Sequence, residues 1–177
     1  MVEGLILRPA SAADAEALAT VYGWHVLNGV GTFEEVPPDA AEMGRRVERV
    51  QAAALPYLVA EVGGEVAGFA SAGPYNARSG YRFTVEDSVY LSPAFQRRGL
   101  GRALLSAVLE ACAARDVRRV VALIGDSGNT ASIALHRALG FEPAGTLREI
   151  GFKHGRWLDV VLMQRSLTDS PRTAIVG

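Results

Sequence analysis

The stretch Gln96-Arg97-Arg98-Gly99-Leu100-Gly101-Arg102 decides the fold of this chain. It follows an apolar segment, residues 88–91, and leads directly into apolar residues at helical spacing. The order strand, glycine loop and helix predicts a phosphate-binding turn. Glycines let backbone N–H groups surround an anion, and the new helix points its unpaired N–H groups at the same place. Three arginines, Arg97, Arg98 and Arg102, add positive charge beside this turn.

The sequence motifs of two well-known phosphate-binding loops do not match this stretch. The dinucleotide fingerprint needs a small residue where this chain has Leu104, and the nucleoside triphosphate loop needs a Gly-Lys-Ser/Thr ending. The remaining pattern, Gln/Arg-x-x-Gly-x-Gly/Ala, resembles the pyrophosphate-binding motif of the GNAT N-acetyltransferase superfamily. That resemblance implies acetyl-CoA as co-substrate.

The composition fits one domain that serves a small ligand. The chain has 177 residues, of which 49% are hydrophobic, which is enough for one core. A net charge of -1 excludes the broad basic surface typical of nucleic-acid binders. We see neither an apolar run of about 20 residues, as a membrane span needs, nor a secretory signal. We therefore expect a cytoplasmic protein with no nucleic-acid or membrane partner.

The cysteine and the histidines do not indicate a metal or redox site. Cys112 is the single cysteine and lies in an apolar helical pattern, so we expect a buried small hydrophobe. The histidines His25, His136 and His154 are far apart and match no metal-ligand spacing, so we expect no metal.

Hydrophobic periodicity predicts four helices and six strands in one α/β domain, residues 1–167, followed by a flexible tail, residues 168–177. The strands are expected over residues 5–9, 57–62, 65–72, 83–91, 117–124 and 157–163, with Gly63-Gly64 turning a hairpin. The helices are expected from Ser11 to about His25, from Pro37 through Val50, from Leu100 through Ala111, and from Asn129 to Leu139. This order suits a mixed sheet with helices on its faces.

Further segments resemble one branch of the same superfamily, the phosphinothricin and methionine sulfone or sulfoximine acetyltransferases. The most specific is Gly151-Phe152-Lys153-His154-Gly155, which precedes Trp157 and Asp159. Similar segments are residues 72–78, 84–91, 121–125 and 136–141. The resemblance implies a GNAT-type, largely antiparallel central sheet with helices on both faces, a homodimer, and direct acetyl transfer to the α-amine of a small amino acid.

Two alternatives remain beside that function. The first keeps the chemistry but acetylates a protein N-terminus, a lysine or another small amine. The second is a non-catalytic coenzyme A sensor that retains only the cofactor loop.

Glu86 is the expected catalytic residue, since a thioester is attacked by a neutral amine and a base must take a proton. Strand alternation sends Glu86, Ser88 and Tyr90 to one face and Asp87 to the other. The resemblance places the catalytic Glu of the family at this position. The alternative is a carboxylate on a solvated strand end. His136 stands where many relatives carry the Tyr proposed to protonate the thiolate, so it is either an acid or a structural residue.

The resemblance also implies the residues that bind the cofactor. The backbone of Val89, Tyr90 and Leu91 would accept the pantetheine arm and stabilise the oxyanion. The loop would hold the pyrophosphate through Arg97, Arg98, Gly99, Leu100, Gly101 and Arg102, and Asn129 and Ser132 would contact the arm. Asn129 is equally suited to be a helix N-cap.

An amino-acid acceptor carries a carboxylate, so its site needs fixed donors and a cation. The expected substrate-binding residues are Phe33, Tyr75, Asn76, Arg78 and Lys153. The alternatives are a core aromatic for Phe33, a solvated turn residue for Arg78, and structural roles for Lys153 and His154.

Overall fold

The computed structural model describes residues 3–168. Residues 1–2 and 169–177 lie outside the described part, so the domain boundary at 167 and the tail 168–177 stay predictions. The strands of residues 3–168 are β1 (Leu5–Pro9), β2 (Tyr57–Val62), β3 (Glu65–Pro74), β4 (Thr84–Leu91), β5 (Arg119–Gly125), β6 (Glu142–Lys153) and β7 (Arg156–Ser166). The α-helices there are α1 (Ala15–Asn28), α2 (Ala40–Ala52), α3 (Leu100–Ala113) and α4 (Thr130–Ala138).

The described strands form a single seven-stranded sheet in the order β1-β2-β3-β4-β5-β7-β6. Every neighbouring pair is antiparallel except β4 and β5, which are parallel. This confirms the expected mixed and largely antiparallel sheet. The parallel pair is joined by the glycine loop and α3, the crossover that parallel strands require.

Helices cover both faces of the sheet because successive strand residues point in opposite directions. On one face α1 and α2 pack on the sheet, and the cluster includes Leu18, Val21, Met43, Val47, Val59 and Phe69. On the other face α3 packs, and the cluster includes Ala60, Ala70, Leu104, Leu105, Val108 and Val120. Cys112 is fully buried in this second cluster, as expected.

The helix boundaries follow capping chemistry. Asp39 caps α2, since its Oδ1 accepts a hydrogen bond from the backbone N–H of Glu42 at 2.7 Å. Gly140 takes a φ of +80° just after α4, the left-handed conformation that commonly ends a helix. The first helix differs from the prediction. A short 3-10 turn, Ala12–Asp14, precedes α1, which continues to Asn28 rather than ending near His25.

The sequence pattern does not predict β6. Its Pro143, Gly145 and Gly151 interrupt the apolar alternation, and most of its residues are exposed because it is an edge strand. Its register with β7 shifts twice, between Pro143 and Gly145 and between Leu147 and Gly151. Irregular pairing of this kind leaves no regular sequence pattern to detect.

No helix within residues 3–168 has both the length and the apolar character needed to cross a membrane.

We predict that Gly68→Ala destabilises the fold, whereas Gly73→Ala on the same strand does not. A Cβ at Gly68 would lie 2.5 Å from the carbonyl oxygen of Tyr90 and 2.5 Å from the side chain of Leu91, while Gly73 has open space. Overpacking of this kind costs about 1–3 kcal/mol. Thermal unfolding of both variants measures the difference, and equal stabilities would contradict it.

Candidate active site

The site begins where β4 and β5 separate. The two strands pair at Thr84 with Arg119, Val85 with Val120 and Glu86 with Val121. Beyond that point both continue, to Leu91 and Gly125, with no pairing between them in the described register. A cavity of about 1050 Å³ lies at this gap and is lined by both strands.

The backbone of β4 alternates between β3 and the gap. The carbonyl oxygen of Thr84 accepts a hydrogen bond from Tyr75 N at 3.3 Å, and Ser92 N donates to the carbonyl oxygen of Ala67 at 2.9 Å. The register with β3 contains no bulge between these points. Even-numbered residues of β4, Tyr90 among them, therefore use their backbone groups on β3.

Odd-numbered residues of β4 point the other way. The carbonyl oxygen of Phe83 accepts from Arg118 N at 2.8 Å on the β5 side. By the same alternation, the N–H groups of Val89 and Leu91 face the cavity. The carbonyl oxygen of Leu91 accepts a hydrogen bond from His25 Nε2 at 2.8 Å. Two aligned backbone donors thus border the gap.

Glu86 lines the cavity at the last paired position of β4. Its side chain is partly buried, and burial together with the neighbouring Asp87 raises the pKa of its carboxyl above the ordinary value. A carboxylate with a raised pKa is a better proton acceptor than a fully solvated one.

Asp87 lies on the opposite face, as alternation predicted, and pairs with His136. Oδ2 of Asp87 is 3.0 Å from His136 Nε2, and Nδ1 of the ring donates to the carbonyl oxygen of Ser132 at 2.7 Å. Burial opposes the charged ring, but the hydrogen bond and charge of Asp87 outweigh it and raise the pKa of His136. Both ring nitrogens have protein partners, and both Asp87 and His136 line the cavity, so the acid and the structural alternatives for His136 both stay predictions.

The glycine loop lies at one end of the cavity. Gln96, Arg97, Gly99, Gly101 and Arg102 line the cavity, and Gly99 takes a φ of +83° just before α3. A left-handed residue at that point turns the chain into the helix.

Two predicted loop residues do not line the cavity. The guanidinium of Arg98 lies 5.2 Å from the ring centre of Phe95, and Leu100 is fully buried. Arg98 packs on Phe95 and Leu100 lies in the core, and their contacts with a cofactor stay predictions.

Asn129 and Ser132 line the cavity at the start of α4. Oδ1 of Asn129 accepts from Ser132 N at 3.3 Å, so Asn129 is the N-cap of this helix. Its position on the cavity leaves the predicted contact with a cofactor arm open as well.

Phe33 lines the cavity and lies within the segment of residues 29–34 that follows α1. A Cβ at Gly151 would come within 2.1 Å of the Phe33 ring, and one at Gly125 within 3.1 Å. The ring therefore fits only because both facing positions on the sheet are glycine.

Lys153 is not among the residues that line the cavity, and its contact with an acceptor stays a prediction. Its side chain is 2% exposed, and Nζ donates to the carbonyl oxygen of Thr32 at 2.7 Å. Burial lowers the pKa of its ammonium. His154 Nε2 likewise donates to the carbonyl oxygen of Gly29, at 3.2 Å. Both side chains bind the segment of residues 29–34.

Tyr75, Asn76 and Arg78 also lie outside the cavity lining, contrary to expectation. Tyr75 packs on Tyr81 with 5.5 Å between ring centres, and Asn76 Oδ1 accepts from Arg78 N at 3.0 Å. The three residues form an exposed turn after β3. Their binding of an acceptor stays a prediction that this single chain does not support.

The sequence pattern does not predict two side chains at the cavity, those of His25 and Arg156. His25 donates a hydrogen bond to the carbonyl oxygen of Leu91, but a lone histidine near a helix end gives no sequence signal. Arg156 lines the cavity and pairs with Asp126 at 2.7 Å. The arginines among the described lining residues are Arg97, Arg102 and Arg156, and the first two belong to the glycine loop.

Comparison with known proteins identifies relatives over most of the chain. The profile of the acetyltransferase (GNAT) family matches residues 20–141. A phosphinothricin N-acetyltransferase of Alcaligenes faecalis is 50% identical over 160 residues, 90% of this chain and 81% of the relative. An L-methionine sulfoximine/L-methionine sulfone acetyltransferase of Pseudomonas aeruginosa is 40% identical over 169 residues, 95% and 97% of the two chains.

A solved structure shows the same fold at high similarity. It is a phosphinothricin acetyltransferase from Sinorhizobium meliloti in complex with acetyl-CoA, 47% identical to this chain. The TM-score is 0.89, and the match covers 92% of this chain and 88% of the other.

We predict that Asp87→Asn lowers the pKa of His136 from above the ordinary 6.5 to below it, because the raising charge is lost while burial remains. In the unaltered protein the pair contributes stability that is fully present below about pH 6.5 and lost as the pH rises through the raised pKa. NMR titration of the imidazole measures both pKa values. An unchanged value in the variant would contradict the pairing.

Proposed function

We propose that this chain, which belongs to the acetyltransferase (GNAT) family, acetylates the α-amine of a small amino acid of the phosphinothricin, methionine sulfone or methionine sulfoximine type. It is an N-acetyltransferase with acetyl-CoA as its co-substrate. The relatives named above supply the acceptor class.

The observation that carries the proposal is the gap between β4 and β5 with the glycine loop at its end. The N–H groups of Val89 and Leu91 suit an extended amide-bearing arm that adds to the open strand edge. The loop before α3 offers backbone donors and two cavity-lining arginines, Arg97 and Arg102, to an anion. Coenzyme A contains such an extended amide-bearing arm, joined to a pyrophosphate.

Glu86 is the proposed base. An ammonium acceptor cannot attack a thioester, so Glu86 takes a proton from it, directly or through one water. The free amine then forms the C–N bond and the C–S bond breaks, so the sulfur leaves as a thiolate. The attacking nitrogen loses a second proton and the thiolate takes one up, which gives the amide and the coenzyme A thiol. The gap-facing N–H groups of Val89 and Leu91 are placed to stabilise the oxyanion of the tetrahedral intermediate. Holding both reactants together contributes up to about 7–11 kcal/mol.

Two further residues of the cavity lining support a small acceptor. Phe33 presents an aromatic surface there, and Arg156 supplies a cation on the lining. An aliphatic amino acid with a carboxylate needs one of each. The alternative, a protein N-terminus or lysine, would need an open groove where the segment of residues 29–34 now packs on Gly151.

Three further properties of the protein are proposals. We propose that the acetyltransferase domain spans residues 1–167, that the protein is a homodimer, and that it is cytoplasmic. Light scattering at several protein concentrations measures the oligomeric state.

The proposed function is tested by thiol release from acetyl-CoA. The acceptors are phosphinothricin, methionine sulfone and methionine sulfoximine, beside ordinary amino acids, a polyamine and a lysine peptide. Saturable release with one of the first three supports the proposal. Release with the peptide alone would transfer it to protein acceptors, and acetyl-CoA binding without any release would favour a sensor.

We predict that Glu86→Gln lowers kcat by about 10²–10⁴-fold, the usual contribution of a general base. Acetyl-CoA affinity should stay within twofold, since the amide keeps the size of the side chain. In the unaltered enzyme, activity should be lost as the pH falls through the raised pKa of Glu86. Steady-state kinetics against pH, with Glu65→Gln as the exposed control, measures both effects.

A loss of acetyl-CoA binding in Glu86→Gln, with kcat retained at saturation, would show that Glu86 is structural.

A further inference from the structure

Lys153 is the single lysine of the chain, which otherwise uses 17 arginines for its positive side chains. It is also 2% exposed, whereas Lys is among the residues that proteins almost never bury without a partner. Burying an ammonium is costly unless hydrogen bonds hold it. A lysine in this place therefore requires an explanation from its contacts.

The contact of Lys153 is with the segment of residues 29–34. Nζ donates to the carbonyl oxygen of Thr32 at 2.7 Å, joining the end of β6 to a residue 121 positions away. The hydroxyl of Thr32 bonds to that of Tyr22 at 2.7 Å, and Tyr22 donates to Glu34 at 2.8 Å. The segment is thus held from β6 on one side and from α1 on the other.

An ammonium suits this position better than a guanidinium. It is a compact charge on a flexible stem, whereas Arg presents a wide planar fork of five donors. The charges of Glu35 and Glu34 act on Lys153 and favour its charged form against the effect of burial. The position thus combines almost complete burial with two nearby negative charges that favour a cation.

Phe33 directly follows the residue that Lys153 holds. Its ring lies between Gly125 and Gly151, where a Cβ on either glycine would come within 3.1 Å or 2.1 Å of it. A shift of Thr32 must therefore move the ring along the cavity wall. One methylene in an apolar pocket changes selectivity by about 10–200-fold, so a small shift is measurable.

We propose that Lys153 is a positioning residue for acceptor specificity: by holding Thr32 it fixes Phe33 against Gly151, and so sets the length of acceptor side chain that the cavity admits. The inference rests on the proposed function and assigns to Lys153 a role other than direct contact with an acceptor.

The first test compares Lys153→Met with the control Arg165→Met. Arg165 also donates from a cation to a backbone carbonyl, that of Leu139 at 2.6 Å, but away from the cavity lining. The acceptors are methionine sulfone and ethionine sulfone, which differ by one methylene. Lys153→Met should shift the ratio of their kcat/KM values about tenfold toward the longer acceptor, with the KM for acetyl-CoA within twofold.

The control should leave the ratio unchanged. If both variants lose thermal stability alike and neither changes the ratio, Lys153 is only a structural residue and the proposal is overturned.

A second test does not need Lys153→Met to fold. Gly151→Ala forces the Phe33 ring to move, and Phe33→Ala removes the ring. The acceptor ratio of the double variant should equal that of Phe33→Ala, because the methyl group added at position 151 then has no ring to displace. Independent, multiplying effects of the two substitutions would overturn the coupling.

A third readout is independent of activity. We expect an amine-reactive reagent to modify Lys153 slowly in the unaltered protein and at least tenfold faster in Gly151→Ala, measured by peptide mass spectrometry. Equal modification rates in the two proteins would overturn the proposed coupling between Lys153 and Phe33. If no amino acid is acetylated at all, the proposed function fails, while this labelling still decides whether Lys153 and Phe33 act together.

Discussion

The separation of β4 from β5 beyond the pair of Glu86 and Val121 is the constraint on which the site depends. Backbone N–H groups inside a sheet normally find a partner, so a strand whose N–H groups face a cavity is open to a ligand. His25 donates a hydrogen bond to the carbonyl oxygen of Leu91, so the N–H groups of Val89 and Leu91 and the carbonyl oxygen of Val89 stay on this edge for a ligand. β5 stays a strand through Gly125 because β7 pairs with it on the other side. The gap is thus stable before any cofactor binds.

The second constraint is the close approach of the segment of residues 29–34 to the end of the sheet. Phe33 and the carbonyl of Val30 occupy the space that side chains at Gly151 and Gly125 would need. Lys153 and His154 then hold the segment through its backbone carbonyls. The cavity lining therefore includes both a loop suited to an anion and an aromatic ring suited to a small side chain. In the proposed function the thioester and the amine meet in this cavity, beside Glu86.

Much of this could be predicted from the sequence because it is local. The glycine loop, the helix caps and the two faces of β4 follow from spacing within a few residues. Strand β6 could not be predicted, because Pro143, Gly145 and Gly151 break its pattern. The role of Lys153 depends on Thr32, which is far away in the chain, and a charged residue beside a glycine turn is typical of an exposed site. Tyr75, Asn76 and Arg78 are expected at the cavity because an amino-acid acceptor needs fixed donors and a cation, and the fold of the single chain places them on an exposed turn.

Hydrogen exchange of the β4 amides tests the central claim most directly. The account predicts that the amide of Tyr90, paired with β3, exchanges slowly with or without acetyl-CoA. The amides of Val89 and Leu91 should exchange faster in the free protein and become protected when acetyl-CoA is added. If these two amides are already as protected as that of Tyr90, or if acetyl-CoA leaves their exchange unchanged, the gap is not where the cofactor binds.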